Sequence, residues 1–230
     1  MDAAGEPRRQ HRLCGTGELN RPMTAEKSNQ RIERLEKETE REASLNLRKF
    51  VKLLQLRLVS QGLKPTLLWM HNLFNRVFFD RPVRGQTEIL PNLFVGPQFK
   101  QRGWKSLEKW GIDSVVNMRR EFDDRSLGIE IPNYHHIPLV DDTAPSVEEL
   151  ESGVKFITEN IDRGGKVYIH CGAGVGRAPT MASAYLISKG MTPKEAEETI
   201  RAKRSFIRMV RLQRDVLAAY AAKLNGSQAK

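Results

Sequence analysis

The sequence predicts an α/β fold with a central, largely parallel sheet flanked by helices, and an N-terminal helical extension before it. From residue 88 onward, short apolar segments alternate with amphipathic segments in the order β-α-β-β-α-β-α-α-α. This alternation is typical of parallel strands joined by helical crossovers. A glycine-rich turn between one apolar strand and the helix that follows it supports the same fold class, because ligand-binding loops of α/β sheets have this form.

The first 87 residues divide into two parts. Residues 1–42 are predicted to be a disordered, charged tail, because no apolar period is sustained there. Residues 43–87 form a basic helical extension with eight lysines and arginines and a single acidic residue. Apolar residues at helical spacing between Leu47 and Leu58 predict one helix, and the segment from Thr66 to Phe79 predicts a second.

Two roles stay open for residues 43–87. The helices either pack on the domain that follows or make peripheral contact with an anionic membrane, since lysine and arginine are mixed with leucine and aromatic residues. Nucleic-acid binding is disfavoured, because a basic balance alone is unspecific. The longest uncharged stretch near the N-terminus, Pro65 to Asn75, is far shorter than the ~20 apolar residues of a spanning helix. The chain has only two cysteines, which indicates a reducing, cytoplasmic location, with peripheral membrane attachment as the alternative.

The remaining residues, 88–225, are predicted to form one domain. Its strands are expected at Ile89–Val95 (a pair broken at Pro91-Asn92), Ser114–Met118, Tyr134–Val140 and Lys166–His170, and its helices at Gly103–Lys109, Ser146–Ile161, Gly176–Ser188, Pro193–Lys203 and Val210–Leu224. Ser146 and Glu149 match a capping box, which marks the start of a helix. Pro193 suits the first turn of the helix that Thr192 caps.

The chemistry is concentrated in the loop between Cys171 and Arg177, which encloses the small residues Gly172, Ala173, Gly174, Val175 and Gly176. The glycines permit a tight turn and a close approach of the backbone. Main-chain N–H groups and the N-terminus of the following helix then aim at one point and form an anion cradle. Such a cradle favours a cysteine thiolate, which is a nucleophile. An arginine fork can hold two phosphate oxygens there.

The sequence His-Cys-x5-Arg with three interleaved glycines, placed between a strand and a helix, resembles the signature of cysteine-dependent protein tyrosine and dual-specificity phosphatases. The resemblance extends over roughly residues 88–222. It implies a dual-specificity-like fold and hydrolysis of phosphate monoesters through a phosphocysteine on Cys171, with Arg177 binding the phosphate. The implied substrates are phosphotyrosine and phosphoserine or phosphothreonine proteins, with phosphoinositide lipids as an alternative. No metal or organic cofactor is expected.

Such families use an aspartate on a mobile loop to protonate the leaving oxygen. Here Asp141 and Asp142 follow the strand predicted at Tyr134–Val140. By resemblance to dual-specificity phosphatases and to the phosphatases of regenerating liver, Asp142 aligns with the general acid, and Asp141 is the reserve candidate. The competing interpretation is that both are turn carboxylates near a helix N-terminus. The ring of His170 is expected to hydrogen-bond the main chain near the loop and to help order it.

One position departs from the common pattern, because most relatives have Ser or Thr directly after the loop arginine, where this chain has Ala178. The missing hydroxyl group stabilises the cysteine leaving group, so the second chemical step should be slow unless Thr180 replaces it. The same Arg-Ala-Pro sequence occurs in the regenerating-liver phosphatases. A phosphate-trapping module with negligible turnover therefore stays open, as does a rhodanese-like sulfurtransferase, which also places a cysteine in an arginine-bearing loop.

Two further clusters are open to interpretation. Arg119 and Phe122 lie in a charged loop after a predicted strand, and they either shape a substrate entrance or belong to a solvated turn. The basic array from Arg201 to Arg214 is either a solvated helix face or an electropositive rim, and the resemblance places part of it behind the phosphate loop.

Overall fold

The computed structural model describes residues 47–228, so the predictions for residues 1–46 lie outside the described residues. Residues 47–55 are helical, and a compact unit begins at Leu56. In that unit a five-stranded sheet is flanked by helices, which confirms the α/β prediction. The boundary predicted at residue 88 stays a prediction. Within residues 47–228, no helix is both long enough and apolar enough to cross a bilayer.

The sheet has the strand order β1-β2-β5-β3-β4. Its strands are β1 (Glu88–Leu90), β2 (Leu93–Pro97), β3 (Ser114–Arg119), β4 (Asn133–Leu139) and β5 (Val167–Cys171). Only the edge pair β1–β2, the strand pair predicted around Pro91-Asn92, is antiparallel, and the other three pairings are parallel. The sheet is therefore largely parallel, as the sequence predicts, and β5 lies at its centre.

Eight α-helical segments and one 3₁₀ turn belong to the described part of this unit. The α-helical segments are α1 (residues 56–61), α2 (Leu63–Phe79), α3 (Arg84–Thr87), α4 (Gln101–Lys109), α5 (Val147–Asp162), α6 (Arg177–Ser188), α7 (Pro193–Lys203) and α8 (Arg211–Gln228). α2 begins three residues before the predicted start, because Pro65 falls in its first turn, where a missing N–H costs no hydrogen bond. α3 and the 3₁₀ turn Asp124–Leu127 were not predicted, since four residues are too few to show a period.

Side chains of the central strands alternate between two cores. Phe94, Val115 and Tyr168 project to one face, where they pack with Trp104 and Leu107 of α4. The neighbouring residues on the same strands project to the other face, where α5, α6, α7 and α8 cover them, and these residues are Leu93, Val95, Val116, Val167 and Ile169. Because both faces are covered, β5 is buried at every position.

Residues 56–87 of the predicted helical extension pack on this domain. The Arg57 guanidinium lies 4.5 Å above the Trp69 ring and donates a hydrogen bond to the carbonyl of Phe206 at 3.3 Å. Asn72 donates to the side chain of Gln86 at 3.0 Å, and both groups are buried. The opposite side of α2 nevertheless exposes a row of large apolar side chains.

Candidate active site

Cys171 ends the central strand β5, at the carboxyl edge of the sheet. Its strand neighbours end beside it, with Pro97 of β2 paired to Cys171 and Asn117 of β3 paired to His170. Ligands of open α/β sheets bind at this edge, because loops from several strands converge there. The predicted strand, turn and helix therefore meet where the sequence analysis placed the anion cradle.

The phosphate cradle, residues Cys171–Arg177, requires glycine at its tightest point. Gly174 has φ +67°, and a Cβ at this position would collide with the main chain of Gly96. The N–H of Gly174 donates to the Cys171 Sγ at 3.3 Å, so the turn directs a main-chain donor at the sulfur. Cys171 itself is 2% exposed. A loop of this form offers main-chain N–H donors to the oxygens of an anion bound in front of the sulfur.

Two groups hold the cradle from behind by binding its carbonyls. The buried Arg204 Nε donates to Gly174 O at 3.1 Å, and the main-chain N–H of Arg208 donates to Val175 O at 2.6 Å. Because these carbonyls are bound on the outside of the loop, the peptide N–H groups are free to face inward. Burial lowers the pKa of Arg204 to about 10. The basic array from Arg201 to Arg214 thus has two roles. Arg204 supports the loop, whereas Arg201 and Arg214 form ion pairs with Glu197.

The guanidinium of Arg177 is almost entirely buried and is bound on three sides. Its Nη1 donates to Leu139 O at 2.6 Å, and Glu121 binds Nη1 and Nη2 at 3.1 and 3.0 Å. Nη2 also lies 3.0 Å from a carboxylate oxygen of Asp141. The hydrogen bonds from Arg177 lower the pKa of Glu121 to about 2. Arg177 Nε is buried without a partner in the described part of the chain, so it can donate to a bound oxyanion.

The two candidate acids occupy different positions. Asp141 contacts Arg177, although its side chain is 78% exposed. Asp142 is exposed and has φ +59°, which is uncommon for a residue other than glycine. The loop is fixed on its far side, because the buried Gln213 of α8 donates to Thr143 O at 2.8 Å. The backbone strain at Asp142 is of the kind that accumulates at functional loops. The assignment of Asp142 as the acid stays a prediction.

His170 does not make the main-chain hydrogen bond that the sequence analysis expects. Its Nε2 lies 2.6 Å from a carboxylate oxygen of Asp124, and both side chains are fully buried. Gln98 donates to the other oxygen of that carboxylate. A carboxylate is the stronger acceptor, and the 3₁₀ turn delivers it to the ring. The contact of His170 with Asp124 anchors the loop after β3 to the end of β5, and the role of His170 in ordering the cradle stays a prediction.

The structure decides the role of the alternative hydroxyl. Ala178 is fully buried at the start of α6. The Thr180 hydroxyl donates to Gly176 O at 3.0 Å inside this helix. Its proton is therefore committed to the helix backbone, and Thr180 is not the donor that replaces the missing hydroxyl group beside Cys171.

Sequence reasoning named the loop after β3 but chose other residues in it. Arg119 and Phe122 do lie together at the rim, with the guanidinium 5.3 Å from the ring. Glu121 and Asp124, which were not selected, make the contacts to Arg177 and His170. Their position after β3, the strand next to β5, was the available signal, because polar side chains there are adjacent to the end of β5.

Comparisons with known proteins agree with this geometry. Residues 95–191 match the family model described as polymorphic toxin system, DSP-PTPase phosphatase. The chain is 32% identical to human dual specificity protein phosphatase 5 over 152 residues, which are 65% of this chain and 38% of the relative. It is 27% identical to human dual specificity protein phosphatase 1 over 155 residues, which are 63% and 42% of the two chains. The chain thus spans about two fifths of the length of these relatives.

Solved structures resemble the same region. A crystal structure of PTPMT1 in complex with PI(5)P is 26% identical with a TM-score of 0.57, and the match covers 61% of this chain and 96% of that one. Tk-PTP in the active form is 28% identical with a TM-score of 0.50, covering 60% and 96%. DUSP15, at 21% identity and a TM-score of 0.54 over 62% and 94%, shows the shared fold.

The buried Asp124 carboxylate gives a stability prediction. Replacing it in the variant Asp124→Ala leaves the His170 ring buried without its acceptor, while the Gln98 amide keeps the carbonyl of Phe99 as an acceptor. We expect the free energy of unfolding to fall by roughly 1–3 kcal/mol, which is the usual cost of a stranded buried polar group. Urea unfolding measures the loss. The control Asp215→Ala removes an exposed ion pair with Arg211 and should change stability by less than about 1 kcal/mol. Equal effects of both variants would contradict the structural role of Asp124.

Proposed function

The chain belongs to the cysteine-dependent protein tyrosine and dual-specificity phosphatase superfamily, and we propose that it hydrolyses phosphate monoesters through a phosphocysteine on Cys171. The observation that carries the proposal is the loop geometry, in which the Gly174 N–H donates to the Cys171 Sγ and the buried Arg177 guanidinium has its Nη2 beside Gly172. No metal is needed in this scheme, since the thiolate and the fixed donors supply the nucleophile and the charge stabilisation.

In the first step the Cys171 thiolate attacks phosphorus, and the bond from phosphorus to the ester oxygen breaks. The cradle N–H groups and Arg177 stabilise the negative charge on the phosphoryl oxygens. A phosphate that accepts hydrogen bonds from Arg177 Nε and from Nη2 displaces the exposed Asp141 carboxylate from the guanidinium. The leaving oxygen receives a proton from the acid, for which we propose Asp142, with Asp141 in reserve.

In the second step a water molecule attacks the phosphocysteine. The same aspartate, now ionised, accepts a proton from this water, and the sulfur–phosphorus bond breaks to release inorganic phosphate and the thiolate. The thiolate leaves without help from a hydroxyl group on residue 178, because that residue is alanine. The absence of this donor supports a slow second step and accumulation of the phosphoenzyme.

The assignment of nucleophile and acid is tested with an aryl phosphate across pH. Cys171→Ser should abolish hydrolysis, because an alkoxide does not form readily in its place. Asp142→Ala should lower kcat/KM about 100-fold and remove its decline at high pH, since only the protonated acid is active. If Asp141→Ala has this effect instead, the acid role moves to Asp141. If the unchanged chain binds vanadate but hydrolyses nothing, it is a phosphate-trapping module, and activity on thiosulfate would indicate a sulfurtransferase.

The slow second step gives a kinetic prediction. The wild-type chain should release a burst of aryl alcohol close to one equivalent of enzyme, followed by a slower steady state. Ala178→Ser should raise the steady-state rate about tenfold, because a hydrogen bond to a charged group is worth about 1.5–3 kcal/mol. Ala182→Ser is the matched control, since this equally buried alanine lies one turn further along α6. Phosphocysteine that stays at trace levels in the wild type would refute this proposal.

Phosphorylated proteins are the proposed substrates, in keeping with the dual specificity relatives. A lipid phosphate is the second candidate, and a specific observation favours it. One side of α2 exposes an apolar stripe at helical spacing, formed by Leu63, Leu67, Met70, Phe74, Val77 and Phe78. Lys64, Arg76 and Arg81 lie on or next to this helix, which suits an anionic bilayer surface. A structural neighbour, PTPMT1, was solved with PI(5)P.

Sedimentation with vesicles tests the membrane contact. The full chain should bind phosphatidylserine-containing vesicles and bind neutral phosphatidylcholine vesicles weakly. The variant Phe74→Ser/Phe78→Ser should weaken binding more than tenfold, because burying each phenylalanine contributes up to about 1.5–3 kcal/mol. Leu212→Ser, an exposed apolar residue on α8, serves as the control. If the stripe variant binds vesicles normally but changes a dimer to a monomer in light scattering, the stripe binds a second copy of the chain.

A further inference from the structure

A second charged feature lies beside the phosphate cradle. It is a cleft of about 1080 Å³ between the end of α2 and the length of α4. We call it the basic cleft, and the cations that line it are Arg76, Lys100, Arg102, Lys105, Lys109 and Arg119. Asp80 is the one acidic residue among the residues that line it. A concave surface with this excess of one charge concentrates ligands of the opposite charge.

The carboxylate in the basic cleft is already bound elsewhere. Asp80 accepts hydrogen bonds from the N–H groups of Lys100 and Gly103, both at 2.8 Å, at the start of α4. Its charge is therefore engaged mainly by the helix N-terminus, although it also acts to raise the pKa of Arg76. Arg76, which is partly buried, makes no ion pair within contact distance of a carboxylate in the described part of the chain. Six cations against one engaged carboxylate favour the entry of an anion.

Two residues that line the basic cleft are also linked to the phosphate cradle by hydrogen bonds or ion pairs. Gln98 lines the cleft, and its main-chain N–H donates to Cys171 O at 2.9 Å. Arg119 also lines the cleft, and it pairs at 2.9 Å with Glu121, which binds Arg177. Burial lowers the pKa of Arg76. Because the cleft and the cradle meet at Gln98 and Arg119, one molecule can interact with both.

We propose that the basic cleft is a subsite for a second phosphate group on the molecule whose phosphate monoester enters the cradle. The proposal rests on the proposed function, because it assigns the cradle to the scissile phosphate. The favoured substrate is then a compact bisphosphate, either soluble or in the headgroup of a lipid. A single phosphate gains only from the cradle, whereas a second phosphate also meets the unpaired cations of the cleft.

Binding to the full chain with Cys171→Ser tests the subsite without turnover. Calorimetry compares an inositol monophosphate with an inositol bisphosphate. We expect the bisphosphate to bind at least about tenfold more tightly at low salt, and the preference to shrink at about 1 M salt, where the screening length is only about 3 Å. Arg102→Glu/Lys105→Glu, at two exposed positions on α4, should reduce the preference to less than about twofold. Arg76→Met should also reduce it.

The matched control is Lys155→Glu/Lys194→Glu, which changes net charge equally at exposed sites that do not line the cleft. The control should retain the preference. An equal loss in the control, or an equal loss for monophosphate and bisphosphate in the α4 variant, would overturn the subsite. If neither ligand binds, the cradle assignment fails and the subsite fails with it. If both bind equally while aryl phosphate hydrolysis by the wild type is intact, only the subsite is wrong.

Two additional arms identify the source of the second phosphate. The first arm compares phosphatidylcholine vesicles that contain a phosphatidylinositol monophosphate, which carries two phosphates on one headgroup, with phosphatidylcholine vesicles that lack it. A preference for the phosphoinositide vesicles that the α4 variant loses, with the soluble bisphosphate bound poorly, indicates a headgroup ligand. The reverse result indicates a soluble bisphosphate. The assignment to a compact molecule would be overturned if a second phosphate strengthened binding only in a doubly phosphorylated peptide, compared with the singly phosphorylated one.

Discussion

The buried guanidinium of Arg177 is the interaction on which the rest of the site depends. It ties the ends of three strands together, through Leu139 at the end of β4, Glu121 after β3 and its own place after the cradle that follows β5. A buried charge is tolerated only when it is paired and hydrogen-bonded. The loops must therefore converge on Arg177 for the domain to be stable, and the same convergence forms an oxyanion site in front of Cys171.

The cradle is also stabilised on the side away from Cys171 and Arg177. Arg204 and the main chain at Arg208 bind the outward carbonyls, while the pair of His170 and Asp124 fixes the end of β5. These tertiary contacts form when the domain folds. They therefore fix the geometry of the loop before a ligand binds. Preorganised donors of this kind stabilise developing charge without the cost of reorganisation during the reaction.

The surroundings of the cradle suggest how one fold acquires a particular substrate. The α2 helix contributes Arg76 to the basic cleft and exposes an apolar stripe on its outer side, whereas α4 and its N-cap Lys100 contribute four of the six cations of the cleft. The cradle and α4 lie within the residues that match the family model, and α2 lies outside them. In the proposed function, the added helix contributes to specificity because it changes the charge and hydrophobicity near the reaction centre.

The sequence by itself determined the fold class, the strand and helix order and the cradle from Cys171 to Arg177. These features are local, since apolar periods, capping residues and glycine spacing reveal them without knowledge of distant contacts. Only the tertiary structure decided the rest. His170 pairs with the buried carboxylate of Asp124, Glu121 binds Arg177, and the Thr180 hydroxyl donates to Gly176 O at the start of α6. The contacts of His170 and Arg177 join loops that the strand order brings together, and the contact of Thr180 depends on its side-chain rotamer. The spacing of residues along the chain reveals neither strand order nor rotamer.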